Sequence, residues 1–105
     1  KDYVEAMWLM LQQEIPDDYV ISTGETHSVE EFLERVWSVA ELGNPKRHLK
    51  INKKYFRPQE VPYLLGNCSK AKRVLGWKPK YDFTSLARDM YNHDFNKIVS
   101  KKGWK

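Results

Sequence analysis

Arg57 and Glu60, three residues apart, are the pair of side chains best suited to binding chemistry. A guanidinium is always charged, and its planar fork of donors matches two oxygens of a phosphate. Pro58 restricts the backbone beside that fork. A carboxylate accepts hydrogen bonds from paired hydroxyls such as those of a ribose. The alternative is a surface ion pair of Arg57 with Glu60 worth about 0–1 kcal/mol, which the spacing alone favours.

The charge distribution indicates an anionic partner for the second half of the chain. The 105 residues carry a net charge of +4, but residues 1–44 hold ten acids and two bases, and residues 45–105 hold four acids and sixteen bases. The basic residues before Arg57 either raise the local potential for an anion or form a solvated loop; they are Lys46, Arg47, Lys50, Lys53 and Lys54. A stand-alone nucleic-acid-binding module is a weaker alternative, since no motif of that class is present.

Apolar spacing and capping residues predict four helices that position these side chains. Asp2 is expected to cap the first, Ser28 with Glu31 the second in a capping box, and Ser69 the third, which Gly76 ends. The fourth is expected to run from about residue 82 or 84 towards Ile98. We predict that Val4, Met7, Trp8 and Leu11 make one apolar face of the first helix. Trp8, Trp37 and Trp77 are expected to be core.

Two short segments are typical of β-strands, residues 19–21 and residues 49–51. The predicted fold is therefore a small α+β module of the α/β class, mostly helical with short strands. We expect one domain over residues 1–99 and a basic tail over residues 100–105. Two short strands do not make a self-sufficient sheet, so the module is expected to belong to a longer protein.

Composition excludes several other classes. No apolar run approaches the ~20 residues of a membrane span, and residues 1–3 do not start a signal peptide. Cys68 is the single cysteine and the three histidines are scattered, so we expect no disulfide, no metal site and a reducing, cytoplasmic compartment. Cys68 and His27 are expected to be structural.

Several separated motifs occur in the order typical of one enzyme superfamily. KYFRPQEV (residues 54–61) precedes LLGNCSKAK (residues 64–72) and LGWKP (residues 75–79). This series resembles the C-terminal substrate domain of extended short-chain dehydrogenase/reductases that act on nucleotide sugars. The openings KDYVEAMW (residues 1–8) and GETHSVEEF (residues 24–32) are most similar to the GDP-mannose 4,6-dehydratase family.

The resemblance implies a role in nucleotide-sugar metabolism. The whole enzyme would be a lyase that converts GDP-mannose to GDP-4-keto-6-deoxymannose for GDP-fucose or other deoxyhexoses, with NADP as cofactor. Arg57 would contact the diphosphate of GDP-mannose and Glu60 the ribose. The parent enzyme would form a homodimer or tetramer, with no membrane or nucleic-acid partner. The alternative is another nucleotide-sugar epimerase or dehydratase, which would share Arg57 and Glu60 but differ in base and sugar.

The family's catalytic and cofactor-binding motifs are absent from the sequence. No Gly-x-x-Gly-x-x-Gly turn occurs, and none of the six tyrosines has a lysine four positions later. The resemblance therefore implies that the catalytic residues and the NADP site lie in an N-terminal Rossmann domain outside this chain. The 105 residues alone are expected to be inactive, to bind the GDP moiety, and to hold no cofactor of their own.

Overall fold

The computed structural model describes residues 1–102. These residues contain four α-helices and two 3₁₀ turns, joined by irregular segments. The helices are α1 (Asp2–Leu11), α2 (Val29–Val39), α3 (Ser69–Leu75) and α4 (Phe83–Lys102), and the 3₁₀ turns are Pro45–Arg47 and Lys53–Tyr55. The chain divides into two compact units, one of residues 1–26 with 61–82, the other of residues 27–60 with the chain from 83 onward. No helix in the described residues is long and apolar enough to cross a membrane.

The prediction of an α/β fold with short strands is wrong, because residues 1–102 contain no β-strand. Both segments expected to be strands, residues 19–21 and 49–51, are irregular. A β-prone sequence becomes a strand only when a neighbour completes its backbone hydrogen bonds. Residues 49–51 instead lie between the two 3₁₀ turns, and the fold is that of a small helical protein.

The first unit has its core between α1 and α3. Ala6 of α1 is fully buried and Trp77, after the end of α3, is only 1% exposed. Ala6 and Ala71 have small side chains, so the two helices can pack closely there. The large indole of Trp77 belongs to the same buried cluster. The buried cluster is Ala6, Cys68, Ala71, Leu75 and Trp77, with Leu9, Met10, Tyr19 and Ile21 packed against it. Trp8, by contrast, is 60% exposed, so the prediction that it is core is wrong.

Asp2 anchors the start of α1 to the turn before α4, rather than capping α1 as the sequence suggested. Its carboxylate oxygen Oδ2 accepts backbone N–H groups of Lys80 at 2.8 Å and Tyr81 at 2.9 Å. The indole Nε1 of Trp77 donates to the Asp2 carbonyl at 3.0 Å. Lys1 is the N-cap, without a side-chain cap. Three hydrogen bonds between distant parts of the sequence therefore meet at one buried residue.

The second unit is built on α2 packed against α4. The predicted capping box is confirmed: the Ser28 hydroxyl accepts the Glu31 N–H, and the Glu31 carboxylate accepts the Ser28 N–H. That backbone hydrogen bond lowers the pKa of Glu31 below its ordinary value. Phe83 lies between two other rings of this unit. The His27 ring stacks on it with 3.8 Å between ring centres, and the Phe32 ring packs edge-on at 6.1 Å between ring centres. His27 is structural, as predicted.

The ends of α3 and α4 depart from the sequence prediction by small amounts. Asn67, rather than Ser69, closes the start of α3, since its Oδ1 accepts the Ser69 N–H at 2.9 Å. Gly76 ends α3 in the left-handed conformation with φ of 65°, as expected. α4 continues past Ile98 to Lys102, so residues 100–102 of the expected tail are helical. The rest of that tail, with Trp104, lies outside the described residues.

Candidate functional site

Arg57 and Glu60 lie on either side of a bend at Pro58–Gln59, directly after the second 3₁₀ turn and Phe56. Both side chains are exposed. Within residues 1–102 neither makes a hydrogen bond or an ion pair, so the surface ion pair considered from the spacing is not formed. The guanidinium fork and the carboxylate are thus both open to an external ligand.

Two asparagine-capped turns shape the loop that leads to Arg57. Asn44 Oδ1 accepts the Lys46 N–H at 2.9 Å, and Asn52 Oδ1 accepts the Lys54 N–H at 3.0 Å. An asparagine side chain that bonds to the backbone two residues on favours a turn over a strand. Each turn carries adjacent basic residues, and the second turn is followed at once by the segment with Arg57. In the sequence Asn44 stands two residues before Lys46 and Asn52 two residues before Lys54, a turn signal that the strand expected at residues 49–51 did not take into account.

The basic loop, defined as residues 46–57, carries positive charge that no carboxylate compensates. Its bases are exposed, and none is in an ion pair with another residue of the described chain; they are Lys46, Arg47, Lys50, Lys53, Lys54 and Arg57. Unpaired charges of one sign on one loop raise the local concentration of a counter-ion. The loop is therefore suited to a compact anion with several oxygens, such as a diphosphate.

Lys70 of the first unit is instead engaged in contacts within that unit. Lys70 Nζ lies 2.6 Å from Asp17 Oδ2, donates to the Asp18 carbonyl at 2.9 Å, and lies 5.0 Å from the centre of the Tyr19 ring. The hydrogen bond from Lys70 holds the pKa of Asp17 below its ordinary value. The Lys70 ammonium is therefore already engaged within the first unit.

Lys80 is paired as well. Its ammonium donates to both carboxylate oxygens of Glu5, at 2.7 and 2.9 Å, and this hydrogen bonding raises the pKa of Lys80. Lys70 and Lys80 therefore each have a carboxylate partner, whereas the bases before Arg57 have none among the described residues.

A cavity of about 360 Å³ in the second unit was not expected from the sequence. The Phe83 ring lies on its wall, with the Arg35 guanidinium 5.9 Å from the ring centre. Its charged walls carry more acid than base, which disfavours a phosphate ligand; the lining residues are His27, Glu31, Glu34, Arg35, Ser38 and Phe83. Five of the lining residues lie within residues 27–38, and only the fold brings the distant Phe83 beside them.

Comparison with known proteins decides the family. A family model described as GDP-mannose 4,6 dehydratase matches residues 1–90, which include the basic loop, Arg57 and Glu60. The chain belongs to this family. The dehydratase resemblance found in the sequence motifs is thereby confirmed.

Individual relatives agree with the family match. The chain is 57% identical over 101 residues to GDP-mannose 4,6 dehydratase 1 of Arabidopsis thaliana, covering 96% of this chain and 28% of that protein. It is 47% identical over 110 residues to the GDP-mannose 4,6 dehydratase of Homo sapiens, covering 90% of this chain and 30% of that protein. The chain thus spans less than a third of the length of these dehydratases.

Proposed function

We propose that this chain is the nucleotide-sugar-binding part of a GDP-mannose 4,6-dehydratase, the lyase that converts GDP-mannose to GDP-4-keto-6-deoxymannose. The observation that carries the proposal is the family match over residues 1–90, which includes an exposed and uncompensated basic loop ending at Arg57. The product of this enzyme supplies the synthesis of GDP-fucose and related deoxyhexoses.

Arg57 and Glu60 hold two polar parts of the GDP moiety in this proposal, the diphosphate and the ribose. The Arg57 guanidinium donates to diphosphate oxygens, while the Glu60 carboxylate accepts from the ribose hydroxyls. The bend at Pro58–Gln59 separates the two side chains, so each can address a different part of the nucleotide. Clamping the nucleotide fixes the position of the hexose, which is a contribution to catalysis by orientation.

The cofactor of the proposed enzyme is NADP, which takes a hydride from the hexose and returns it. The described residues offer no cradle for it. A dinucleotide site uses a glycine-rich turn that opens a helix. Gly24, Gly43 and Gly76, the described glycines with positive φ, lie at three separate turns, and Gly76 closes a helix instead of opening one. We therefore propose that a Rossmann domain outside this chain would hold NADP.

We further propose a domain organisation, an oligomeric state and a cellular location for the whole enzyme. A protein of the relatives' length would join this chain to that Rossmann domain, assemble as a homodimer or tetramer, and act in the cytoplasm. Support for a further domain comes from the length of the relatives, which extend well beyond the matched part.

Calorimetry on the 105-residue chain tests the nucleotide clamp. GDP is expected to bind, and to bind more tightly than UDP. Arg57→Ala is expected to weaken GDP binding about 10- to 100-fold, the equivalent of about 1.5–3 kcal/mol for a lost charged hydrogen-bonding group. Arg57→Lys keeps the charge but loses the fork, so an intermediate affinity is expected.

The matched control is Arg73→Ala, an exposed arginine on α3 of the other unit. It is expected to leave GDP binding unchanged. An equal loss of GDP affinity in Arg73→Ala and Arg57→Ala would show that only the net positive charge of the chain matters, and it would contradict the clamp. A preference for UDP would reassign the chain to another nucleotide-sugar enzyme.

A further inference from the structure

Asn52 caps the 3₁₀ turn Lys53–Tyr55, which leads directly towards Arg57. Its Oδ1 atom accepts the Lys54 N–H at 3.0 Å, and its carbonyl accepts the Tyr55 N–H at 3.1 Å. Both donors belong to the backbone, so these contacts fix the path of the chain rather than any basic side chain. An asparagine bonded in this way favours a turn over extended structure.

The turn is joined to Arg57 through a single residue, Phe56. The Phe56 N–H donates to the Lys53 carbonyl at 3.1 Å, and the Phe56 backbone is extended, with φ of −71° and ψ of 133°. On the other side, Pro58 restricts the residue before it to extended conformations. The backbone of Arg57 is therefore held from both directions, by the capped turn and by the proline.

The Arg57 side chain depends on that backbone for its orientation. It is exposed, and it makes no hydrogen bond or ion pair with any other residue of the described chain. A planar fork that must meet two phosphate oxygens at once is sensitive to the direction from which it approaches them. A group that fixes the backbone before Arg57 therefore acts on anion binding without touching the anion.

The Asn52 cap also decides between a turn and a strand in this part of the basic loop. Residues 49–51 alternate apolar and basic side chains, which is typical of a strand. If a strand continued beyond them, Arg57 would lie in an extended segment whose side chains alternate between two sides. The Asn52 side chain opposes this continuation, because it engages the Lys54 N–H that a strand would offer to a neighbour.

We propose that Asn52 is a positioning residue of the nucleotide clamp, and that its side chain holds the turn that directs the Arg57 guanidinium at the diphosphate of GDP. This inference rests on the proposed function, which supplies the ligand. A ligand that binds only the ordered loop binds more weakly in proportion to the fraction of molecules in which the turn is formed. Loss of a capping side chain lowers the equilibrium constant of the capped turn about 3- to 10-fold.

Calorimetry of GDP with the 105-residue chain and its variants tests this role. Asn52→Ala is expected to weaken GDP binding about 3- to 10-fold. Asn52→Ser keeps a neutral capping oxygen and is expected to restore most of the affinity. Full GDP affinity in Asn52→Ala overturns the proposal.

The matched control is Asn67→Ala, which removes the same kind of contact from the other unit. Asn67 Oδ1 accepts the N–H of Ser69, two residues on, at 2.9 Å. Asn67→Ala is expected to leave GDP binding unchanged. An equal loss of GDP affinity in Asn67→Ala and Asn52→Ala would show a general effect on stability and overturns the proposal.

A double-mutant cycle measures whether Asn52 acts through Arg57. In a chain that carries Arg57→Ala the guanidinium is already absent, so adding Asn52→Ala is expected to change GDP affinity by less than about twofold. If Asn52→Ala costs as much in the Arg57→Ala chain as in the unaltered one, Asn52 does not act through Arg57 and the proposal is overturned.

The unaltered chain distinguishes failure of the positioning role from failure of the clamp. GDP binding that Arg57→Ala weakens and Asn52→Ala does not weaken rejects the positioning role and leaves the clamp in place. A chain that does not bind GDP at all rejects the clamp, and the role of Asn52 with it.

Discussion

Asp2 offers the sharpest test of what holds the first unit together. Its carboxylate accepts two backbone N–H groups, from Lys80 at 2.8 Å and Tyr81 at 2.9 Å, in a partly buried setting. Asp2→Ala leaves both donors without this partner. A hydrogen bond to a charged group contributes about 1.5–3 kcal/mol. Since one oxygen serves both donors, the lower end applies to each, and we expect Asp2→Ala to lower the free energy of unfolding by about 3 kcal/mol.

A conservative variant and a control divide this effect into its parts. Asp2→Asn keeps an oxygen acceptor but loses the charge, so neutral hydrogen bonds of about 0.5–1.5 kcal/mol each remain and about half the loss is expected. Asp94→Ala removes an exposed carboxylate on α4 and is expected to change the free energy of unfolding by less than about 0.5 kcal/mol.

Urea unfolding measures the free energies, and hydrogen exchange of the Trp77 indole proton locates the effect. That proton is buried and donated to the Asp2 carbonyl at 3.0 Å. Faster exchange at Trp77 in Asp2→Ala is expected, with Asp2→Asn intermediate. If Asp2→Ala and Asp94→Ala were equally stable, or if Trp77 exchanged at the wild-type rate in Asp2→Ala, the anchoring role of Asp2 would be refuted.

Two further predictions concern the first unit. A Cβ added at Gly66 would lie 2.5 Å from Ser22 Cβ and 2.6 Å from Ser22 Oγ, so Gly66→Ala is expected to lower the free energy of unfolding by about 1–3 kcal/mol in urea titrations. Ser22→Gly in the same chain should restore most of that loss, and a Gly66→Ala protein of wild-type stability would contradict the close approach. Lys70 holds the pKa of Asp17 low, so the stabilisation by Asp17 is present above the ordinary aspartate pKa and is lost as pH falls through the lowered value. The stability difference between wild type and Asp17→Asn should therefore be constant near pH 6 and shrink as pH falls below the ordinary aspartate pKa of about 3.9. A difference that stays constant as pH falls well below that value would contradict the assignment.

Local sequence signals predicted the helix boundaries well where the interaction is itself local. Ser28 and Glu31 are three residues apart, so the sequence spacing alone predicts their capping box, and it forms as expected. Gly76 likewise ends α3, because a left-handed residue is most easily a glycine. The order of separated motifs was enough to indicate the dehydratase family, and the family match bears this out.

Tertiary structure decided the features that depend on distant partners. Asp2 carries the sequence features of a helix cap, but its carboxylate accepts hydrogen bonds from the N–H groups of Lys80 and Tyr81. Local sequence patterns do not predict hydrogen bonds to residues so far along the chain. The β-prone residues 19–21 and 49–51 are not strands in the described chain, because a strand is completed only by hydrogen bonds to a neighbour.

The same distinction applies to the apolar face of α1 and to the basic loop. Periodicity identified Val4, Met7, Trp8 and Leu11 as one face, but only the packing of Ala6 against α3 showed that this face points outwards. The sequence also located the bases before Arg57, while the structure showed that no carboxylate of residues 1–102 neutralises them, in contrast to Lys70 and Lys80. Residue types and spacing determine which groups are available, and the three-dimensional arrangement determines which of them are already engaged.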